Sequence, residues 1–260
     1  MTEASPLGSV DKGLVALQHL GDAGATGLTL ARLAHQLGMN KASLHRTLAA
    51  LRYRGFVEQD PETGAYRLGP SVLALADSYY RDGSLRALLH APLRQLSLQV
   101  KELCHLGTMS GHEIVYVDKV EPQRAIRVWS EVGRRSPATT TALGRAMLSQ
   151  SFDSLEAFER RFEEPIPART PYTRNSIEAV WEELTNAKKR GFAKEEQENE
   201  LGISCIAVAI KRGEIAIAAV SITALHERMD SNRMLFLAET LRETIRPCLP
   251  PGMSLQQPAD

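Results

Sequence analysis

Residues 28–57 read LTLARLAHQLGMNKASLHRTLAALRYRGFV, and no other stretch constrains the fold as strongly. Leu30, Leu33, Ala34 and Leu37 recur at helical spacing behind Thr29, a favoured capping residue. The pattern stops at Gly38, which tolerates the positive φ that ends a helix. Asn40 is placed to cap a second helix whose apolar positions are Leu44, Leu48 and Leu51. Two short helices joined by a tight Gly-containing turn make a helix-turn-helix.

The flanks extend this unit. Upstream, residues 9–20 (SVDKGLVALQHL) predict a first helix, with Ser9 as cap and Val10, Leu14, Leu17 and Leu20 at helical spacing. Downstream of Gly55 the period changes to two. FVEQ and AYRL flank DPETG, a turn of hairpin length, and so predict a wing with Arg67 near its tip.

Charge gives the unit a partner. The 260-residue chain has 31 basic and 31 acidic residues, so any field must be local. Between Ala23 and Val57 stand Arg32, Lys41, Arg46, Arg52 and Arg54 without one Asp or Glu. A basic third helix followed by a wing is the layout that enters the DNA major groove. Basic side chains there neutralise phosphates and release counterions, while sequence is read at base edges. The expected interface is Lys41, Ala42, Ser43, His45, Arg46, Arg52 and Arg67, with the first turn of the helix offering the base-reading positions.

After Pro70, apolar residues at Val72, Leu75, Ala76 and Tyr79 predict a connecting helix, interrupted at Asp82 and Gly83. A second stripe runs through Leu85, Leu88, Leu89, Leu93, Leu96 and Val100, with Pro92 inside it. These stripes either cover a neighbouring domain or pair with a second subunit, which would present two winged helices to two half-sites. From Cys104 on, CHLGTMSG, EIVYVDKV and AIRVWSEVG predict an antiparallel meander. Helices are expected at residues 142–150, 155–162 and 176–190. FAKEE, SCIAVAI and IAIAAVSITAL are strands, the apolar runs marking burial on both faces, and a last helix lies near residues 232–245. A sheet of five or six strands with helices packed on it is an α+β layout.

The remaining signals exclude more than they assign. Cys104, Cys205 and Cys248 are odd in number and widely spaced, against a disulfide framework or a zinc site. No run approaches a membrane span, and a reducing cytoplasm fits. No G-x-S-x-G, Gly-rich phosphate loop or H-E-x-x-H occurs, so no catalytic residue, metal or cofactor is expected. Cys205 with a histidine, or Ser221 with His226 and Asp230, makes a triad only on paper.

The succession GFVEQDPETGAYRLG, EIVYVDKVE, GRRSPATTTALGRAML and KEEQENELGISCIAVAI…AAVSIT resembles the IclR family of bacterial transcription regulators along residues 9–249. The resemblance implies a winged helix-turn-helix over residues 9–69 behind a flexible start (1–8) and a linker helix over 70–83. It also implies a GAF-like effector domain over 84–250 and a flexible tail (251–260). It further implies a homodimer or dimer of dimers that binds operator DNA and takes a small organic-acid or sugar-acid effector. The family's pocket maps onto Ala142 and Leu143 at a helix N-terminus, Glu195, Cys205, Ser221 and Thr223, with Val128 and Ile203 as the apolar wall. Thr139 and Thr140 replace the family's frequent His-Ala, and Arg145 its usual Lys. A C-terminal domain that only oligomerises or binds a protein partner is the alternative.

Overall fold

A computed structural model of the chain describes residues 8–80, 84–123, 130–162 and 166–259. Contacts divide it into two units, Met1–Arg81 and Asp82–Asp260.

The first unit holds α1 (Gly8–Asp22), α2 (Leu30–Gln36), α3 (Lys41–Tyr53), the strands β1 (Val57–Gln59) and β2 (Tyr66–Leu68), and α4 (Ser71–Tyr80). The expected caps are in place. Thr29 Oγ1 accepts from Arg32 N at 3.4 Å, and Asn40 Oδ1 accepts from Ala42 N at 2.8 Å. Gly38 sits at φ +60°, the left-handed turn between α2 and α3. Leu20, Leu28, Leu33, Leu44, Leu48, Val57 and Tyr66 form the core.

The first helix departs from expectation. Its buried residues are Gly13, Ala16 and Leu20, while Val10 and Leu14 are more than half exposed and Ser9 lies inside the helix. A Cβ at Gly13 would stand 3.8 Å from Thr47 Cγ2, so α1 turns its small-residue face to α3 and backbone proximity replaces side-chain bulk. The wing turn is built by Asp60, whose carboxylate accepts from the N–H groups of Glu62 and Thr63. Arg67 is not at its tip. It lies on β2 opposite Glu58 and pairs with that carboxylate at 3.4 Å.

In α4, Val72 is half-buried and Leu75 exposed. Asp82 and Gly83 fall outside the described residues. Ser71 Oγ donates to Arg54 O at 2.8 Å, fastening the start of α4 to the end of α3.

The second unit opens with α5 (Leu85–Val100), capped by Ser84, whose buried stripe is Leu89, Leu93, Leu96 and Val100; Leu88 is exposed. There follow β3 (Leu103–Ser110), β4 (Glu113–Val120), β5 (Arg135–Pro137), α6 (Ala142–Ser149), α7 (Leu155–Glu159) and α8 (Ile177–Arg190). The chain then runs through β6 (Ala193–Glu196), β7 (Ile203–Arg212), β8 (Ile215–Leu225), α9 (Ser231–Ile245) and β9 (Met253–Leu255). Among the described residues the sheet has seven strands, in the order β5-β4-β3-β8-β7-β6 with β9 also on β7, all pairings antiparallel.

Two expectations change here, and a third falls largely outside the described residues: of the expected AIRVWSEVG strand, residues 125–129 lie outside the described set and residues 130–133 lead through a turn into β5, at Arg135–Pro137. The sheet gains a strand from the tail, because Met253–Leu255 pairs with Ile210, Lys211 and Arg212. Gln256 is buried, its N–H bonding Ala209 O at 2.8 Å and its Nε2 bonding Ala187 O at 2.9 Å, so the expected flexible end is part of the body.

The sheet separates two cores. Ile206, Val208, Ile210, Val220 and Ile222 face α5 and α9. Ala207, Ala209 and Ala219 face α6, α7 and α8 on the other side. Alternation along a strand produces this division. In register, Gly107, Ala219 and Ala209 make one continuous row of minimal side chains across β3, β8 and β7. α6 settles onto this side, and its Gly144 lies so close to Ala138 that an added Cβ would stand 2.2 Å from that residue's carbonyl oxygen.

Candidate functional site

On the first unit, α3 carries the basic face. With 3.6 residues per turn, Ala42, Arg46, Ala49 and Tyr53 line up on the side opposite the buried Leu44 and Leu48. Lys41, His45 and Arg52 flank that row toward the wing, and Arg52 Nη1 donates to Gln59 Oε1 of β1 at 2.6 Å. Ser43 lies on the opposite flank, half-buried toward α1. Arg46, with Lys12 and Arg54, edges a groove of about 630 Å³ between α1 and α3, walled by Val10, Leu14, Leu17, Leu51 and Phe56. Tyr53, more than four-fifths exposed with Arg54 5.3 Å from its ring centroid, was not among the expected residues.

On the second unit, the side of the sheet facing α6 encloses a cavity of about 20 Å³. Its wall contains Ala142, Leu143, Glu195, Cys205, Ser221 and Thr223, six of the eight expected residues, joined by Tyr116, Thr141 and Asn199. Ile203 is not on the wall, being one row beyond Cys205 and opposite Leu225. Val128 lies outside the described residues. Tyr116 was missed because a tyrosine in EIVYVDKV carries no sequence signal of its facing. Asn199 was missed because loop residues are placed by the loop's fold.

Sheet register assembles the polar wall. Glu195 is opposite Cys205, which is opposite Thr223. Cys205 Sγ and Thr223 Oγ1 share a hydrogen bond at 3.1 Å. Glu195 Oε2 accepts from the N–H groups of Glu198 at 3.0 Å and Asn199 at 3.3 Å, so it holds the turn after β6. Burial pushes the Glu195 carboxyl up to about 7, against the bonds it receives from Cys205 and these two N–H groups. Burial, then the nearby Glu195, raises the Cys205 thiol, and burial pushes the Tyr116 phenol up to about 12. Above the wall stands the N-terminus of α6, capped by Thr141, whose Oγ1 accepts from Gly144 N at 3.2 Å. The leading N–H groups of a helix have no acceptor within it and attract anions. Among the described residues no cluster of His, Cys, Asp or Glu could hold a metal ion, and no helix is long and apolar enough to cross a membrane.

A winged helix-turn-helix with a basic third helix, followed by an antiparallel sheet domain with a secluded polar cavity, is the build of a DNA-binding transcription regulator. The family profile of the IclR helix-turn-helix domain matches residues 9–61, and that of the bacterial transcriptional regulator IclR C-terminal domain matches residues 78–248. The chain belongs to the IclR family. It is 31% identical over 221 residues to the HTH-type transcriptional regulator XynR of Escherichia coli K12, covering 84% of this chain and 87% of that one. The crystal structure of an IclR transcriptional regulator from a Silicibacter species superposes with a TM-score of 0.80 at 26% identity, covering 94% of this chain and 98% of that one. An IclR homologue of Microbacterium hydrocarbonoxydans, solved with 4-hydroxybenzoate, superposes with a TM-score of 0.74 at 21% identity, covering 92% and 98%. These relatives are transcription regulators and not enzymes.

Proposed function

We propose that this DNA-binding regulator is controlled by a small organic-acid or sugar-acid effector bound between the α6 N-terminus and the Glu195–Cys205–Thr223 row. The observation that carries this reading is the cavity wall itself, where seven buried or half-buried polar side chains, the Cys205 thiol among them, and a helix N-terminus converge on a space the fold leaves open. Ala142 and Leu143 would offer N–H groups to a carboxylate, and Ser221 and Thr223 hydroxyls to its oxygens. The 4-hydroxybenzoate in the Microbacterium homologue supports an acid as ligand. The size of the cavity supports a switch. About 20 Å³ holds one water, so an organic acid enters only if the wall opens, and the two forms then differ in affinity for it.

In this reading Lys41, Ala42, Ser43, His45, Arg46, Arg52 and Arg67 form the DNA surface, and residues 70–83 are the linker helix between winged domain and GAF-like effector domain. The protein acts in the cytoplasm as a homodimer or dimer of dimers, so that two winged helices meet two half-sites. A thermal-shift screen against sugar acids, aromatic acids and short keto and dicarboxylic acids, followed by titration of each hit against DNA binding, tests it. A saturable shift that also changes DNA affinity is expected.

The second reading, a C-terminal domain that only assembles subunits or binds a protein, is favoured by the same small volume. Ala142→Trp fills the space. Regulation that survives this substitution would select the second reading.

A further inference from the structure

His105 lies beside the cavity wall and the sequence did not single it out. It stands on β3, opposite Ser221 of β8 and Lys119 of β4 in register, and is 3% exposed. Its Nε2 is 2.7 Å from Ser130 Oγ, its Nδ1 is 3.5 Å from Ser221 Oγ, and its ring centroid is 4.8 Å from that of Tyr116. Each ring nitrogen therefore meets one hydroxyl, and one of those hydroxyls belongs to the cavity wall.

The ring is neutral. Burial, reinforced by the positive charges of Lys119 and Arg134 and opposed by Glu121, drives its pKa down to about 3. A neutral imidazole donates from one nitrogen and accepts at the other. The Ser130 contact, at 2.7 Å, is the shorter of the two, and Ser130's own carbonyl is held by Lys119 Nζ. With Ser130 donating to Nε2, Nδ1 carries the hydrogen and faces Ser221 Oγ. A hydroxyl oxygen that accepts from one side keeps its own proton for another.

We propose that Ser130 donates to His105 Nε2 and that the pair is a positioning device that turns the Ser221 hydroxyl proton into the cavity, making Ser221 a donor and selecting ligands that present a carboxylate or carbonyl oxygen there. This rests on the effector-site reading above. His105 acts through Ser221 and need not touch the ligand.

Two experiments test the device. Long-range 1H–15N correlation spectra of the full-length protein with 15N-labelled histidine should show His105 as the Nδ1–H tautomer, unchanged between pH 5 and 8. An Nε2–H tautomer, or a ring that titrates in that range, overturns the proposal without reference to any ligand. The second compares wild type, His105→Asn and His105→Leu, each confirmed folded by circular dichroism, for binding of 4-hydroxybenzoate, gluconate and pyruvate. Asn can keep an N–H near the Nδ1 position and Leu cannot. We expect Asn to bind the wild-type ligand within about threefold and Leu to bind it at least tenfold more weakly. Equal binding by Leu and wild type overturns the proposal. If wild type binds none of the three, the effector reading loses its support while the tautomer still decides the Ser130–His105 geometry.

Discussion

Arg145 and Glu198 form a two-pronged ion pair, Nη1 to Oε1 at 2.7 Å and Nη2 to Oε2 at 2.6 Å, with both side chains closed off from solvent. Arg145 Nε also donates to Thr139 O at 2.7 Å, and Nη1 to Lys194 O at 3.1 Å. Glu198 in turn accepts from the backbone N–H of Arg174 at 3.0 Å and pairs with that residue's guanidinium. The start of α6, the turn after β6 and the segment before α8 are thereby fastened around one carboxylate. Burial alone would raise the Glu198 carboxyl, but Arg145 and then Arg174 hold it below its ordinary range.

Removing the guanidinium strands this carboxylate. Arg145→Met should lower stability by about 3–5 kcal/mol, the usual consequence of breaking a buried pair from one side. Arg145→Lys should fall between, because an ammonium cannot match the fork. Urea denaturation monitored by circular dichroism measures both, and wild-type stability in Arg145→Met would show the pair to be dispensable.

Glu195 should make the protein less stable as pH rises. Its folded carboxyl is raised from 4.5 to about 7, so the folded state holds a proton that the unfolded state has released across that window. The associated stability is complete below about pH 4.5 and lost by pH 7. Glu195→Gln should flatten this segment of the stability profile and gain about 3 kcal/mol on wild type between pH 5 and 8. Parallel profiles for the two proteins would refute the assignment.

Arg46 should contact a DNA phosphate. Arg46→Ala is expected to weaken binding to a random-sequence duplex and to reduce the slope of log K against log salt by about 0.9. Fluorescence anisotropy over a salt series reads both, and an unchanged slope would remove Arg46 from the phosphate contacts.

Ser221→Ala should separate sensing from DNA binding. Affinity for whichever acid emerges from the screen should drop roughly tenfold to a hundredfold, as for a lost hydrogen bond to a charged group. DNA affinity without ligand should stay within twofold. Loss of both together would make Ser221 structural.

Gln256→Ala should destabilise the second unit by about 1–3 kcal/mol, because Ala187 O then loses its buried donor. A thermal melt of the full chain tests this, and an unchanged midpoint would mean that the tail contributes little.

What could be read from the sequence was what local chemistry decides. Thr29, Gly38 and Asn40 fix the ends of α2 and α3 within a few residues of chain, and the structure has them in those roles. The inner face of α1 was hidden because hydropathy favours Val10 and Leu14, whereas close approach to α3 requires Gly13 and Ala16. β9 is three residues long and exists only because the edge of β7 has room for it. At the cavity, strand parity brought Ser221 and Thr223 forward together. Tyr116, Asn199 and His105 arrive from strand and loop positions remote in sequence, and no spacing rule links them.

The row Gly107–Ala219–Ala209, with Ala207 beside it, lies under α6, where a Cβ at Gly107 would stand 2.9 Å from Leu143 Cδ1, and leaves almost no side chain to shorten. Such a seat can be raised by substitution but not lowered, and raising it would lift the helix whose N-terminus stands over the cavity. The height of that N-terminus is therefore set by the smallest residues of the sheet, while the size of the cavity is left to its own wall, at positions such as Tyr116 and Asn199, and to the turn that Glu195 holds. The branched residues on the reverse side are free of that constraint, so a lineage can drift in thermal tolerance there while its chemical preference stays put.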